Sequence, residues 1–115
     1  MTFSALYALI VGVLMIGQWV FFLATDQVPE IKTEPIRIRF HIAAEFLTAI
    51  ALIVGGVGLL TSQSFGVPLY LISMGMLLYT VVVSPGYFAQ KGEWPFVGMF
   101  AIVLVLALVS ISLVV

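Results

Sequence analysis

The sequence predicts an all-α integral membrane protein folded as a four-helix up-down bundle. Three observations predict it. Only 8% of the 115 residues are charged while 63% are hydrophobic, four apolar runs approach or reach membrane-spanning length, and the connections between them are short. A soluble domain carries roughly 25% charged residues because water must solvate its surface. Nine charged side chains cannot coat a 12.5 kDa globule with a mean hydropathy of +1.30, so the solvent around most of the chain is expected to be lipid.

A hydrocarbon core of about 30 Å needs about 20 apolar residues at 1.5 Å each. The runs fall at about 3–24, 35–61, 67–86 and 94–115, within a single transmembrane domain spanning 1–115. Helices are required because backbone groups in lipid must pair within the segment, and a barrel would instead show short alternating strands. The first run has no basic n-region and is too long for a typical signal-peptide core, so it reads as a retained helix. Pro35 suits the first turn of the second helix, with Thr33 or Glu34 capping before it. In the third run, Ser84-Pro85-Gly86 reads as a helix stop and turn. The polar 25–34, 61–66 and 84–93 segments are short enough to make neighbouring helices antiparallel.

Lys32, Arg37 and Arg39 sit at the first connection and Lys91 at the third, with none at the second connection or the tails. The positive-inside bias then expects a multi-pass protein of the cell membrane with both termini outside the cytoplasm. Trp19, Tyr79, Tyr87 and Trp94 are expected at the same cytoplasmic interface. Arg39 and Lys32 are expected to meet lipid headgroups or an anion there.

The second helix holds the informative residues. Arg37, His41 and Glu45 are spaced four apart and share one face, which continues through Thr48, Ala51 or Leu52, Gly55, Gly58 and Ser62. Leu47, Ile50, Val54 and Val57 lie opposite. A carboxylate facing lipid near mid-membrane costs about 2.5 kcal/mol or more on insertion scales, so this stripe is expected to face the interior, a partner or water. Small residues let helices approach closely. Ser4, Ala8 and Gly12 make a similar stripe on the first helix, and the two helices are expected to pack through Ser4, Ala8, Gly12, Ala51, Gly55 and Gly58.

Glu45 lies five residues past Phe40, about 7–8 Å along the axis. Gln18, Tyr79 and Thr80 fall at similar depth on other helices. A polar intramembrane site of Gln18, His41, Glu45, Thr48, Tyr79 and Thr80 is therefore expected, opening toward the cytoplasm with Arg37 and Arg39 at its mouth. The bland alternative is a structural clip in which His41 and Glu45 satisfy each other and Arg37.

Net charge is −1 at pH 7, which argues against nucleic acid as a partner. The absence of cysteine excludes disulfides and thiolate chemistry. One His and one carboxylate do not complete a usual metal site, although His41 and Glu45 at i, i+4 can both reach one ion. Asp26, Glu30, Glu34 and Glu93 are expected at the surface. No cofactor is expected, and a single His without a serine-centred nucleophile motif gives an enzymatic role little support. The functional expectation is a small polytopic membrane protein engaged in proton- or ion-coupled transport or channel activity. The partners expected are the lipid bilayer, a second copy in a homo-oligomer, and a small ion or hydrophobic ligand. The alternative is a structural, assembly or lipid-binding subunit with neither transport nor catalysis.

Overall fold

A computed structural model describes residues 2–25, 30–90 and 92–114. Its helices are α1 (Thr2–Ala24), α2 (Glu30–Thr33), α3 (Pro35–Leu60), α4 (Gly66–Gln90) and α5 (Trp94–Val114), and the described residues contain no strand. The four long helices are long and apolar enough to cross a membrane. They run antiparallel in the ring order α1–α3–α4–α5, with a slimmer α1/α5 seam closing it. The longest molecular extent, 44 Å, matches a bilayer with its headgroup regions, about 40–45 Å. Asp26, Lys91 and the side chains of Glu30 and Tyr87 lie outside the described residues, so the expectations placed on them are not addressed.

The sides of the bundle are apolar and its seams are small. Leu14, Ile50, Ile72, Val82 and Ile102 are each more than half exposed, whereas Ala5, Ala8, Ala49 and Ala107 are fully buried. This inverts the pattern of a water-soluble bundle. Lipid tails are as apolar as leucine, so helix association depends on close van der Waals contact rather than on removing apolar surface from water.

The first two long helices do pack through small residues, in a different pairing from the one expected. A methyl group on Gly12 would lie 2.7 Å from Ile53 Cγ1 and 2.8 Å from the Ala49 carbonyl oxygen. One on Gly56 would lie 2.9 Å from the Ala5 carbonyl oxygen. Gly55 and Gly58 instead face α4: their added methyls would meet the Tyr70 backbone at 3.0 Å and Gly66 Cα at 2.8 Å. Ser4 and Ala8 are buried as expected, while Ala51 is half-buried and its neighbour Leu52 is fully enclosed. Helix α3 thus carries two small faces, one for each neighbour.

The third run is longer than expected. Helix α4 continues through Pro85 to Gln90, so Ser84-Pro85-Gly86 is not a stop. Proline costs one helical hydrogen bond, here to the Val81 carbonyl, and transmembrane helices tolerate this better than soluble ones do. The actual stop is Gly92 at φ 75°, where Gly92 N–H donates to the Ala89 carbonyl and Glu93 N–H to the Phe88 carbonyl. This is the Schellman geometry that favours glycine. The same geometry ends α3, with Ser62 at φ 55° donating to the Leu59 carbonyl and Gln63 to that of Gly58.

At the start of α3, Pro35 occupies the first turn and Glu34 takes the N-cap position, but no side chain caps the helix. The Glu34 carboxylate instead accepts hydrogen bonds from Arg37 at 3.0 and 3.1 Å. Thr33 ends the short α2.

Candidate functional site

The deep carboxylate lies between α3 and α4, away from their glycine-lined contact. Below Gly55 and Gly58 the helices touch backbone to backbone. Toward the ends carrying Lys32, Arg37 and Arg39 the two helices leave a half-open cleft of about 220 Å³. Its walls are His41, Ala44, Glu45 and Thr48 from α3, and Met76, Tyr79, Thr80, Val83 and Ser84 from α4.

Glu45 is only 5% exposed. Its carboxylate stands near the Thr80 hydroxyl on α4 and the Trp19 indole on α1. His41, one turn earlier, places Nε2 3.6 Å from Glu45 Oε1. The Trp19 ring meets the His41 imidazole edge-on, with centroids 5.7 Å apart at 69°. Three helices therefore converge on one carboxylate. Thr48 is spent within its own helix, donating to the Ala44 carbonyl at 2.8 Å.

Of the six residues expected in the polar site, His41, Glu45, Thr48, Tyr79 and Thr80 come together. Gln18 is half-buried but does not line the cleft; the residue beside it, Trp19, reaches Glu45 instead. Arg37 is likewise absent from the lining, because it is exposed and pairs with Glu34 at 3.0 Å. Arg39 and Lys32 are exposed as well. Among the described residues no Lys or Arg lines the cleft.

The cleft opens on the flank of the bundle between α3 and α4, and the His41 side chain, 41% exposed, lies at its Pro35-ward edge. The other lining residues that reach the surface are Ala44, Tyr79 and Val83. They lie nine, eleven and seven residues inside the helix ends at Pro35 and Gln90, or about 10–17 Å along the axis. Counted from Phe40, where the apolar run of α3 begins, Ala44 is about 6 Å inside it.

A second polar cluster occupies the opposite half. Ser4 Oγ donates to the Ser110 carbonyl at 2.7 Å, and the Tyr7 hydroxyl donates to the Val103 carbonyl at 2.6 Å. The Tyr70 hydroxyl meets Ser110 Oγ, and Ser73 Oγ donates to the Tyr70 carbonyl at 2.8 Å. Ser4, Tyr70, Ser73 and Ser110 are all fully buried. Sequence reasoning missed Tyr7, Tyr70 and Ser73. Hydroxyl-bearing residues within an apolar run were the available signal.

Among the described residues, no group of three or more His, Cys, Asp or Glu side chains could hold a metal ion. His41 and Glu45 offer two donors between them. Glu34 and Glu93 are exposed and stand outside the cleft.

No curated protein and no solved structure matches the chain. A family model described as "Domain of unknown function (DUF8058)" matches residues 1–115. The membrane bundle and its three-helix carboxylate cleft are therefore those of a member of the DUF8058 family.

Proposed function

We propose that this four-helix membrane protein carries out proton- or ion-coupled transport, with Glu45 as the exchanging group. One observation carries the reading: a buried carboxylate forms the wall of an open cleft that, among the described residues, contains no Lys or Arg. Intramembrane ionisable residues are expensive and mark ion and proton pathways. A carboxylate kept only as a helix clip would be best served by a closed, filled surrounding, since open space beside it adds no contact. His41 supplies a second group, one that ordinarily titrates near neutrality, within 3.6 Å. The fully buried Leu52, Tyr70, Met74 and Leu77 fill the interior beyond the cleft. That packing favours a carrier, which exposes its site to one side at a time, over an open channel.

The proposed orientation puts the end carrying Lys32, Arg37 and Arg39 in the cytoplasm and both termini outside, in the cell membrane. We propose a homo-oligomer as the working assembly, because a single ring of four helices encloses little space.

The test is flux in proteoliposomes under an imposed proton gradient, with the wild type compared against Glu45→Gln. Transport predicts a loss of at least tenfold in the variant while its helical content is unchanged. Equal flux in the two proteins rules the reading out.

The structural clip is the second reading, favoured by the convergence of Trp19 and Thr80 on Glu45. It predicts that Glu45→Leu and Glu45→Gln both lower the thermal midpoint in detergent by several degrees. A neutral or stabilising Glu45→Leu removes that reading, since a residue held for function often costs stability.

A further inference from the structure

We propose that the cleft binds a lipid-soluble amine that enters from the bilayer between α3 and α4, a ligand assignment that rests on the transport reading above. Three observations on the cleft define the ligand. Among the described residues its one acidic group is the Glu45 carboxylate and no Lys or Arg shares the lining, so the matching ligand head is cationic when bound. The remainder of the wall includes Ala44, Met76 and Val83, which suit an apolar body. The mouth is formed by Ala44, Tyr79 and Val83 along the apolar flank of the helices, so the route in runs through lipid.

The route sets the protonation chemistry. An ammonium ion is costly in hydrocarbon, whereas a neutral amine dissolves there. A neutral amine meeting the Glu45 carboxylic acid takes its proton: the O–H bond at the carboxyl breaks, an N–H bond forms, and an ammonium–carboxylate pair results. Amine plus acid and ammonium plus carboxylate are both neutral overall, so the low-dielectric site holds no uncompensated charge while the ligand is bound. Release toward the basic end as ammonium leaves the carboxylate to recover a proton from water. Amine movement and proton movement are thereby tied to one residue. The cleft volume of about 220 Å³ is below the roughly 300–1,000 Å³ typical of drug-sized sites. One ring with a short amine arm is the appropriate scale.

The probe is benzylamine, with benzyl alcohol as a control of the same shape that lacks the basic nitrogen. The receptor is full-length protein in lipid nanodiscs. In a Trp94→Phe background Trp19 is the one remaining tryptophan, and it lies beside the site. The expected result is a saturable change in its emission, at least tenfold tighter for benzylamine than for benzyl alcohol. Binding is expected to weaken at least tenfold in Glu45→Gln. It is expected to weaken at least fivefold in Ala44→Phe, which fills the flank mouth from a lipid-exposed position that tolerates bulk. Equal binding of amine and alcohol, or an unaffected Glu45→Gln, overturns the ligand class. Unaffected binding in Ala44→Phe overturns the flank entry. Should Glu45→Gln fail to fold, the alcohol comparison and Ala44→Phe decide the matter. Proton flux that depends on Glu45 without amine binding sinks this inference and leaves the transport reading standing. Amine binding with flux indifferent to Glu45 does the reverse.

Discussion

Two polar groups from other helices, Thr80 and Trp19, stand near Glu45, and Trp19 is the one that most separates the structure from the sequence. Replacing it by phenylalanine keeps the ring against His41 but removes the indole N–H from the carboxylate. Loss of a hydrogen bond to a buried polar group costs about 1–3 kcal/mol. Trp19→Phe is therefore expected to lower the thermal midpoint in detergent, and to lower it much less in a Glu45→Leu background, where there is no carboxylate beside the indole. Equal losses in both backgrounds would show that Trp19 stabilises through packing alone. A second prediction concerns Ser62, which holds φ 55° at the end of α3 where the α4 terminus has Gly92. Left-handed backbone costs an L-residue about 1–2 kcal/mol, and glycine avoids the cost. Ser62→Gly is expected to stabilise by about 0.5–1 kcal/mol, measured as a raised midpoint. At this scale the sequence was partly legible. His41, Glu45, Thr48 and Thr80 were visible because each interrupts an apolar run. Trp19 was not, because a tryptophan near a helix end reads equally well as an interfacial anchor. Gln18 was chosen in its place although consecutive residues on a helix point about 100° apart.

At the scale of the helices, the small residues divide into those that set a contact and those that do not. Gly56 lies against the Ala5 carbonyl and Leu9, with a hypothetical methyl at 2.9 Å from each, whereas Gly75 on α4 has nothing within 4 Å. Glycine in a helix interior costs about 1 kcal/mol relative to alanine when nothing else is at stake. Gly75→Ala is therefore expected to be neutral or stabilising by up to about 1 kcal/mol. Gly56→Ala is expected to destabilise, because the methyl would push α1 off α3 along its length. Thermal midpoints of the pair, read side by side, check this; a stabilising Gly56→Ala would mean that the α1/α3 seam has slack. The glycine stripe on α3 was legible in the sequence as a packing face, but its division was not. Gly55 and Gly56 are adjacent, so a single helical wheel cannot say which neighbour each one serves. Pro85 misled for a related reason. Its effect in water is to end a helix, while in a bundle the lost bond at Val81 is a local cost and α4 runs on to Gln90.

The whole molecule is asymmetric along its long axis. One half is spread around the Glu45 cleft, and the other is tied by buried hydroxyls. In the tied half, Ser110 links α5 to both α1 and α4 through Ser4 and Tyr70, and Tyr7 adds a bond to the Val103 carbonyl. These bonds bear directly on the slim α1/α5 seam that closes the ring. The up-down order was legible from the loop lengths. This closure was not, because a serine in an apolar run does not reveal whether it bonds across helices or, like Ser112, to its own backbone at 2.7 Å. A carrier that opens its site alternately to the two sides needs a part of the ring that parts and re-forms, and hydrogen bonds between hydroxyls suit this better than interlocked side chains do. Interhelical bonds in membrane bundles are worth about 0.6 kcal/mol on average and up to about 1.7, small enough to break in a working cycle. Tyr70→Phe removes the hydroxyl and keeps the buried ring, so α5 should stay in place at lower stability. Hydrogen exchange in nanodiscs is expected to rise in the last two turns of α5 and the first two of α1, with α3 and the cleft half unaffected. Exchange that rises uniformly along all four helices would mean that the cluster holds the entire fold, and a carrier would then have to open elsewhere.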